Sequence, residues 1–208
     1  MMSRETSLER KTFLSNIFFL GVLQAANYIL PLMTFPYLVR VLGPEYFGLL
    51  AFAMVTVNYF ILLTDYGFNL SATRQISIHR NNKVKINEIF SSVMIIKFIL
   101  LAISFFLMML LIFNFERFSE ERELFLITFL VVFAQVLFPV WFFQGLEQMK
   151  YITYISIGAK LFFTVAIFIF VNKQEDYLLV PLLTALGAII SGLWSLIFVK
   201  FRFSVSFG

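Results

Sequence analysis

Three charged residues interrupt the long apolar segments of this 208-residue chain: Asp65, Lys97 and Lys160. A charge at the centre of a bilayer costs at least ~2.5–3.5 kcal/mol on insertion scales, so such residues normally face a partner or a water-filled cavity. Lys97 and Lys160 each lie about nine residues into their segments, which is ~13–15 Å deep in a helix. Because an ammonium group binds phosphate as a compact point charge, two lysines at one depth predict a cationic patch for an anionic ligand.

Two alternatives to that patch stay open on the sequence alone. The long lysine stems could carry both ammonium groups back to the nearer membrane interface. Asp65 lies near the end of its segment, where a structural ion pair with Arg74 or with a neighbouring helix competes with a role in transport.

Neutral residues also break the apolar pattern. Pro31 and Pro36 lie five apart in the first segment and predict a flex point for alternating access, although a static kink that shapes packing explains them equally well. Uncharged polar residues at comparable depth either line a hydrated path or join helices by hydrogen bonds worth ~0.6 kcal/mol on average; they are Gln24, Asn27, Asn58 and Gln135.

Six apolar segments must position these residues. Of the whole chain 61% is hydrophobic and only 13% is charged, whereas soluble domains are nearer ~45–50% apolar and ~25% charged. Each segment is long enough to cross ~30 Å of hydrocarbon as a helix, and none alternates like a barrel strand. The sequence therefore predicts one all-α, polytopic transmembrane bundle over residues 1–208, with spans at about 13–39, 46–70, 88–113, 123–144, 151–171 and 177–199.

Charged residues outside these spans are distributed unevenly. With the N-terminus inside, ten of the sixteen Lys and Arg residues fall on the inner side and four in the outer loops, whereas seven of the twelve acids lie outside. The positive-inside rule then places both termini in the cytoplasm. The same distribution accounts for the net charge of +4 without nucleic acid as a partner.

Residues for covalent or metal chemistry are scarce. The chain has no cysteine and a single histidine, His79, which excludes zinc sites built from several His or Cys ligands. Metalloprotease, serine-hydrolase and P-loop motifs are absent from the sequence. We therefore expect no enzymatic activity, no metal and no cofactor.

Three sequence segments resemble a known family. They read LPLMTFPYLVRVLGPEYFG at 30–48, DYGFNLSATR at 65–74 and FPVWFFQGLEQMKYI at 138–152. Together they resemble the bacterial polysaccharide transporter family, specifically the O-antigen flippases (Wzx type), within the multidrug/oligosaccharidyl-lipid/polysaccharide exporter superfamily. The resemblance implies flipping of undecaprenyl-diphosphate-linked oligosaccharides across the inner membrane, for polysaccharide polymerase, chain-length regulator and ligase to use.

The resemblance also implies which residues bind the substrate or form gates, and it implies that a second lobe is needed. Lys97 and Lys160 would bind the diphosphate, with Gln24, Asn58 and Gln135 as polar lining. Arg40 and Arg74 would lie at the outer and inner gates, although interface anchoring explains them as well. Family members usually have twelve spans in two lobes, and this sequence matches the N-terminal lobe, so we expect a second lobe or a homodimer to complete the cavity.

Two other functions stay open. One is an inactive or truncated half-transporter that only associates with polysaccharide-assembly proteins. The other is a cation-coupled multidrug exporter of the same superfamily, which would need acidic residues deep in its cavity.

Overall fold

The computed structural model describes residues 2–203, with side chains from residue 14 onward, and this part of the chain contains helices and no β-strand. Breaks in the helical stretches coincide with Gly43, Gly67 and Pro139. The helices are α1 (Met2–Asp65), α2 (Phe68–Ile78), α3 (Lys83–Asn114), α4 (Glu116–Glu120), α5 (Arg122–Leu137), α6 (Val140–Gly145), α7 (Met149–Phe170) and α8 (Leu179–Phe203), with a 3-10 turn at Gln174–Leu178.

Gly43 divides α1 into two membrane crossings. A straight helix of 64 residues would be about 96 Å long, three times the ~30 Å of hydrocarbon. Gly43 has φ 78° and ψ 168°, a conformation essentially restricted to glycine. The chain therefore turns there, into a first arm (residues 2–42) and a second arm (residues 44–65).

Among the residues that the structure describes, five helical stretches are long and apolar enough to cross a membrane: Leu14–Ile78, Lys83–Asn114, Arg122–Gly145, Met149–Phe170 and Gln174–Phe203. The first of them contains both arms of α1 and therefore covers two of the six predicted spans. After Asp65 the chain turns at Tyr66 and Gly67 and continues as α2, so helix extends beyond the predicted end of the second span. The predicted fold class, an all-α polytopic bundle, is confirmed.

Two apolar clusters hold the ends of the bundle together. One lies near Gly43 and includes Leu42, Phe125 and Val171. The other surrounds the fully buried side chains of Trp141 and Phe142, where α2, α6 and the last turns of α8 meet. We call this second end the basic end, because it carries Arg74, Arg80, Lys83, Lys85, Lys150, Lys200 and Arg202.

Two of the quoted sequence segments pack against each other at the basic end. The Thr73 hydroxyl of α2 donates to the Trp141 carbonyl of α6 at 3.1 Å. A Cβ placed on Gly145 would lie 2.6 Å from Ile76 Cβ and 2.8 Å from the Thr73 carbonyl oxygen. Only glycine therefore allows α6 to approach α2 this closely, which ties segment 65–74 to segment 138–152.

Candidate functional site

Lys97 forms an ion pair with Asp65 inside the bundle. Its Nζ lies 3.4 Å from Asp65 Oδ1, and the side chains are 3% and 22% exposed respectively. The other Asp65 oxygen, Oδ2, accepts a hydrogen bond from Asn69 Nδ2 at 3.0 Å. The pair joins α3 to the second arm of α1. Because the Asp65 carboxylate already balances the charge of Lys97, this lysine is poorly placed to bind an anionic ligand.

Lys160 has a different environment. Its Nζ donates a hydrogen bond to the Asn27 side-chain oxygen on the first arm of α1. That oxygen is neutral, and no carboxylate of the described residues lies within ion-pair distance of Lys160. The Lys160 side chain is also exposed, unlike that of Lys97. Its positive charge is therefore uncompensated within the described part of the chain.

Both lysines lie between the two apolar clusters along their helices. On α3, Lys97 stands between Met94 of the basic-end cluster and Met108 of the Gly43-end cluster. On α7, Lys160 stands between Ile152 and Ile167 in the same way. They contact different arms of α1: Lys97 pairs with Asp65 on the second arm, and Lys160 donates to Asn27 on the first arm.

The neutral polar residues divide into exposed and half-buried positions. Gln24 donates to the Tyr28 hydroxyl at 3.2 Å on the exposed side of the first arm. Asn58 is exposed on the second arm, next to the exposed ring of Tyr59, and Gln135 is half-buried on α5. Both arms of α1 therefore present polar groups on the surface of the bundle at membrane depth.

The residues predicted for gates and flexing are exposed or remain within regular helix. Arg40 lies at the Gly43 end and Arg74 at the basic end, and both side chains are exposed. Among the described ion pairs, the partner of Asp65 is Lys97 and not Arg74. The first arm stays helical through Pro31 and Pro36, and the break comes at Gly43 instead.

The sequence did not predict two hydrogen-bond partners of these charged side chains, Asn69 and Asn27. Asn69 lies four residues after Asp65 and holds its second oxygen, and that spacing was the available signal. Asn27 was one of four polar residues of similar depth, and nothing in the sequence singled it out as the partner of Lys160. Within residues 14–203 no group of three His, Asp or Glu side chains could hold a metal ion.

The amino-acid sequence matches a known protein family. Residues 13–208 match the family described as "Polysaccharide biosynthesis protein". The chain belongs to this family. Two curated proteins named "Putative O-antigen transporter" are similar to it: one of Escherichia coli (strain K12), 34% identical over 199 residues, and one of Shigella dysenteriae, 32% identical over 185 residues.

The match to these two relatives covers most of this chain and less than half of theirs. It takes in 96% of the chain and 47% of the Escherichia coli protein, and 89% and 46% for the Shigella protein. This polysaccharide biosynthesis family chain thus spans about half the length of the curated relatives it matches. No solved structure matches it at a significant level. The resemblance to O-antigen flippases is confirmed, and the chain is a multi-pass membrane protein of that family.

Proposed function

We propose that the chain forms one lobe of a flippase for lipid-linked saccharides. The substrate is an oligosaccharide on undecaprenyl diphosphate, and it moves across the bacterial inner membrane from the cytoplasmic leaflet, where the basic end and both termini lie. Family membership and the printed names of the relatives support the class of cargo. The observation that carries the proposal at residue level is the uncompensated charge of Lys160.

A diphosphate is the ligand that suits this charge best. An ammonium group at membrane depth is costly, at least ~2.5 kcal/mol on insertion scales. The Asn27 amide oxygen can accept a hydrogen bond from Lys160 but cannot neutralise it. A phosphate oxygen can accept a hydrogen bond from Lys160 and also neutralise its charge. Such charge-assisted hydrogen bonds are about twice as strong as neutral ones. In this proposal Lys160 holds the diphosphate while the lipid tail stays in the bilayer.

Lys97 takes a secondary part in the proposal. The Asp65 carboxylate already balances its charge, so an incoming diphosphate would have to compete with an ion pair that is mostly shielded from solvent. We assign the pair to fixing α3 against the second arm of α1, and assign the anion contact to Lys160.

The sugars need polar groups and a second wall. Gln24 and Asn58 are exposed on α1 and can offer hydrogen bonds to hydroxyl groups, with Gln135 deeper in the lobe. A polar face left against lipid is unfavourable. A second lobe or a second copy of the chain would cover it and enclose the headgroup. Translocation breaks no covalent bond, so neither an enzymatic residue nor a cofactor is required.

Complementation tests the proposal. The 208-residue chain is expressed in a bacterium lacking its own O-antigen flippase, beside the Escherichia coli relative as a positive control. Blotting verifies that both proteins reach the membrane. Restored surface polysaccharide, lost again in the Lys160→Gln variant, would support the proposal. Absent polysaccharide, with the control active and the chain present, would favour the inactive half-transporter.

One observation bears on the cation-coupled exporter. Asp65 is an acidic residue inside the bundle, and a coupling site requires such a group. However, its two oxygens are occupied by Lys97 and Asn69. The Asp65→Asn, Lys97→Met double variant, which removes the acid without leaving a buried lysine unpaired, separates the two functions: a coupled exporter would lose drug export, whereas the flippase would keep polysaccharide transport.

A further inference from the structure

A small pocket opens at the basic end, away from Lys160. It lies where α3 begins, beside α6 and the last residue of α8, and has a volume of about 110 Å³. Ligand sites for drug-sized molecules are ~300–1,000 Å³, so the pocket is too small for an oligosaccharide. Its size suits a single phosphate group.

The lining of the pocket is amphipathic. Arg80, Lys83 and Asn87 supply polar groups, and the remaining wall is mostly apolar, including Phe142, Leu146 and Phe203. Lys83 and Asn87 lie four apart on α3 and therefore share a face of the helix. Cationic donors beside aromatic and aliphatic carbon match a phosphate that carries hydrocarbon.

Both cations are available to a ligand. Arg80 has only a long contact of 3.7 Å with Glu147, and both side chains are more than half exposed, so that pair contributes little. No carboxylate of the described residues lies within ion-pair distance of Lys83. Glu147 contacts Arg80 and lies beyond ion-pair distance of Lys83.

We propose that this pocket binds the headgroup of an anionic phospholipid. The phosphodiester would accept hydrogen bonds from Arg80, Lys83 and Asn87, while the glycerol backbone and the first acyl carbons pack on the partly exposed Leu146 and Phe203. Basic pockets between helices at a membrane surface recognise lipid headgroups in this way. The apolar wall favours a lipid over free phosphate. The proposal concerns membrane lipid and is independent of the transported substrate.

The test measures lipid binding to the purified chain in mild detergent by native mass spectrometry. The probes are phosphatidylglycerol, zwitterionic phosphatidylethanolamine and inorganic phosphate. An Arg80→Gln, Lys83→Gln double variant removes both cations. A Lys150→Gln, Lys200→Gln double variant makes the same charge change at the same end and is the matched control, because neither residue lines the pocket. Thermal unfolding without added lipid verifies that both variants are folded.

The expected result is that phosphatidylglycerol binds the wild-type chain in preference to phosphatidylethanolamine. Each direct hydrogen bond from a pocket cation to the phosphodiester contributes roughly fivefold to the affinity, so the pocket variant, which loses two of them, should bind about 30-fold more weakly. The control variant should change binding by less than about fivefold. A single Lys83→Gln variant keeps Arg80 with Glu147 and should show an intermediate loss.

Three results would overturn the proposal. Equal losses in the pocket and control variants would mean that only the overall surface charge matters. Equal binding of the two phospholipids would remove the role of the anion. Displacement of phosphatidylglycerol by inorganic phosphate at the same concentration would make free phosphate the ligand.

Discussion

Removing one partner of the Lys97–Asp65 pair should be more harmful than removing both. In the Asp65→Asn variant, Lys97 keeps its charge at 3% side-chain exposure without a counter-ion. Breaking a buried pair in this way costs about 3–5 kcal/mol. Asparagine still offers an oxygen acceptor to Lys97, so we expect the lower end, about 3 kcal/mol.

The reverse change should cost less. In the Lys97→Met variant, Asp65 is 22% exposed and keeps its hydrogen bond from Asn69, so the expected cost is about 1–2 kcal/mol. The double variant contains neither charge, and it should lie within about 1 kcal/mol of the wild type. The two single changes would therefore be strongly non-additive.

Equilibrium unfolding in mixed detergent micelles measures these free energies. The exposed Lys85–Glu88 pair on α3, whose charged atoms lie 2.6 Å apart, provides the control. Lys85→Met and Glu88→Gln should each change stability by less than ~1 kcal/mol, because solvent screens that pair. A double Asp65, Lys97 variant that loses the sum of the two single costs would refute the reasoning.

Three glycine substitutions test the backbone account, each as a change in unfolding free energy. Gly145→Ala should destabilise the chain by about 1–3 kcal/mol, because its Cβ would overlap Ile76 and the Thr73 carbonyl; a neutral result would mean that α6 does not approach α2 this closely. Gly158→Ala has open space around it and should stabilise α7 by about 0.5–1 kcal/mol, so a loss would contradict its placement. Gly43→Ala should cost about 1–3 kcal/mol because of its backbone conformation, and retained stability would argue against the turn there.

The fold class followed from composition, because only a membrane-embedded bundle accommodates so apolar a chain. The exact residues at which the helices break were harder to predict from the sequence. The break at Gly43 falls between the predicted first and second spans, which end at 39 and begin at 46, whereas the flex point predicted at Pro31 and Pro36 lies within unbroken helix. Their rings remain compatible with the first arm, whereas a positive φ at Gly43 redirects the chain.

Sequence reasoning found the charged residues of the site but not their pairing. Depth along a helix predicted that Lys97 and Lys160 lie at similar levels, and both do lie between the apolar clusters. Depth carries no information about which neighbouring helix each side chain faces. Asp65 was expected to pair with Arg74 or with a neighbouring helix, and its partner is Lys97 on the neighbouring α3. Which neighbouring helix a side chain faces depends on tertiary packing.

Binding of undecaprenyl diphosphate to the purified chain in zwitterionic nanodiscs tests the central claim most directly. The wild-type chain should prefer the diphosphate to undecaprenol, and Lys160→Gln should weaken diphosphate binding at least about tenfold, the value of one charge-assisted contact. Lys160→Arg should retain most of the affinity. Lys173 lies beyond the C-terminal end of α7, and Lys173→Gln should bind the diphosphate like the wild type. Equal affinity of the wild-type and Lys160→Gln chains for the diphosphate would contradict the assignment of Lys160 as the anion contact.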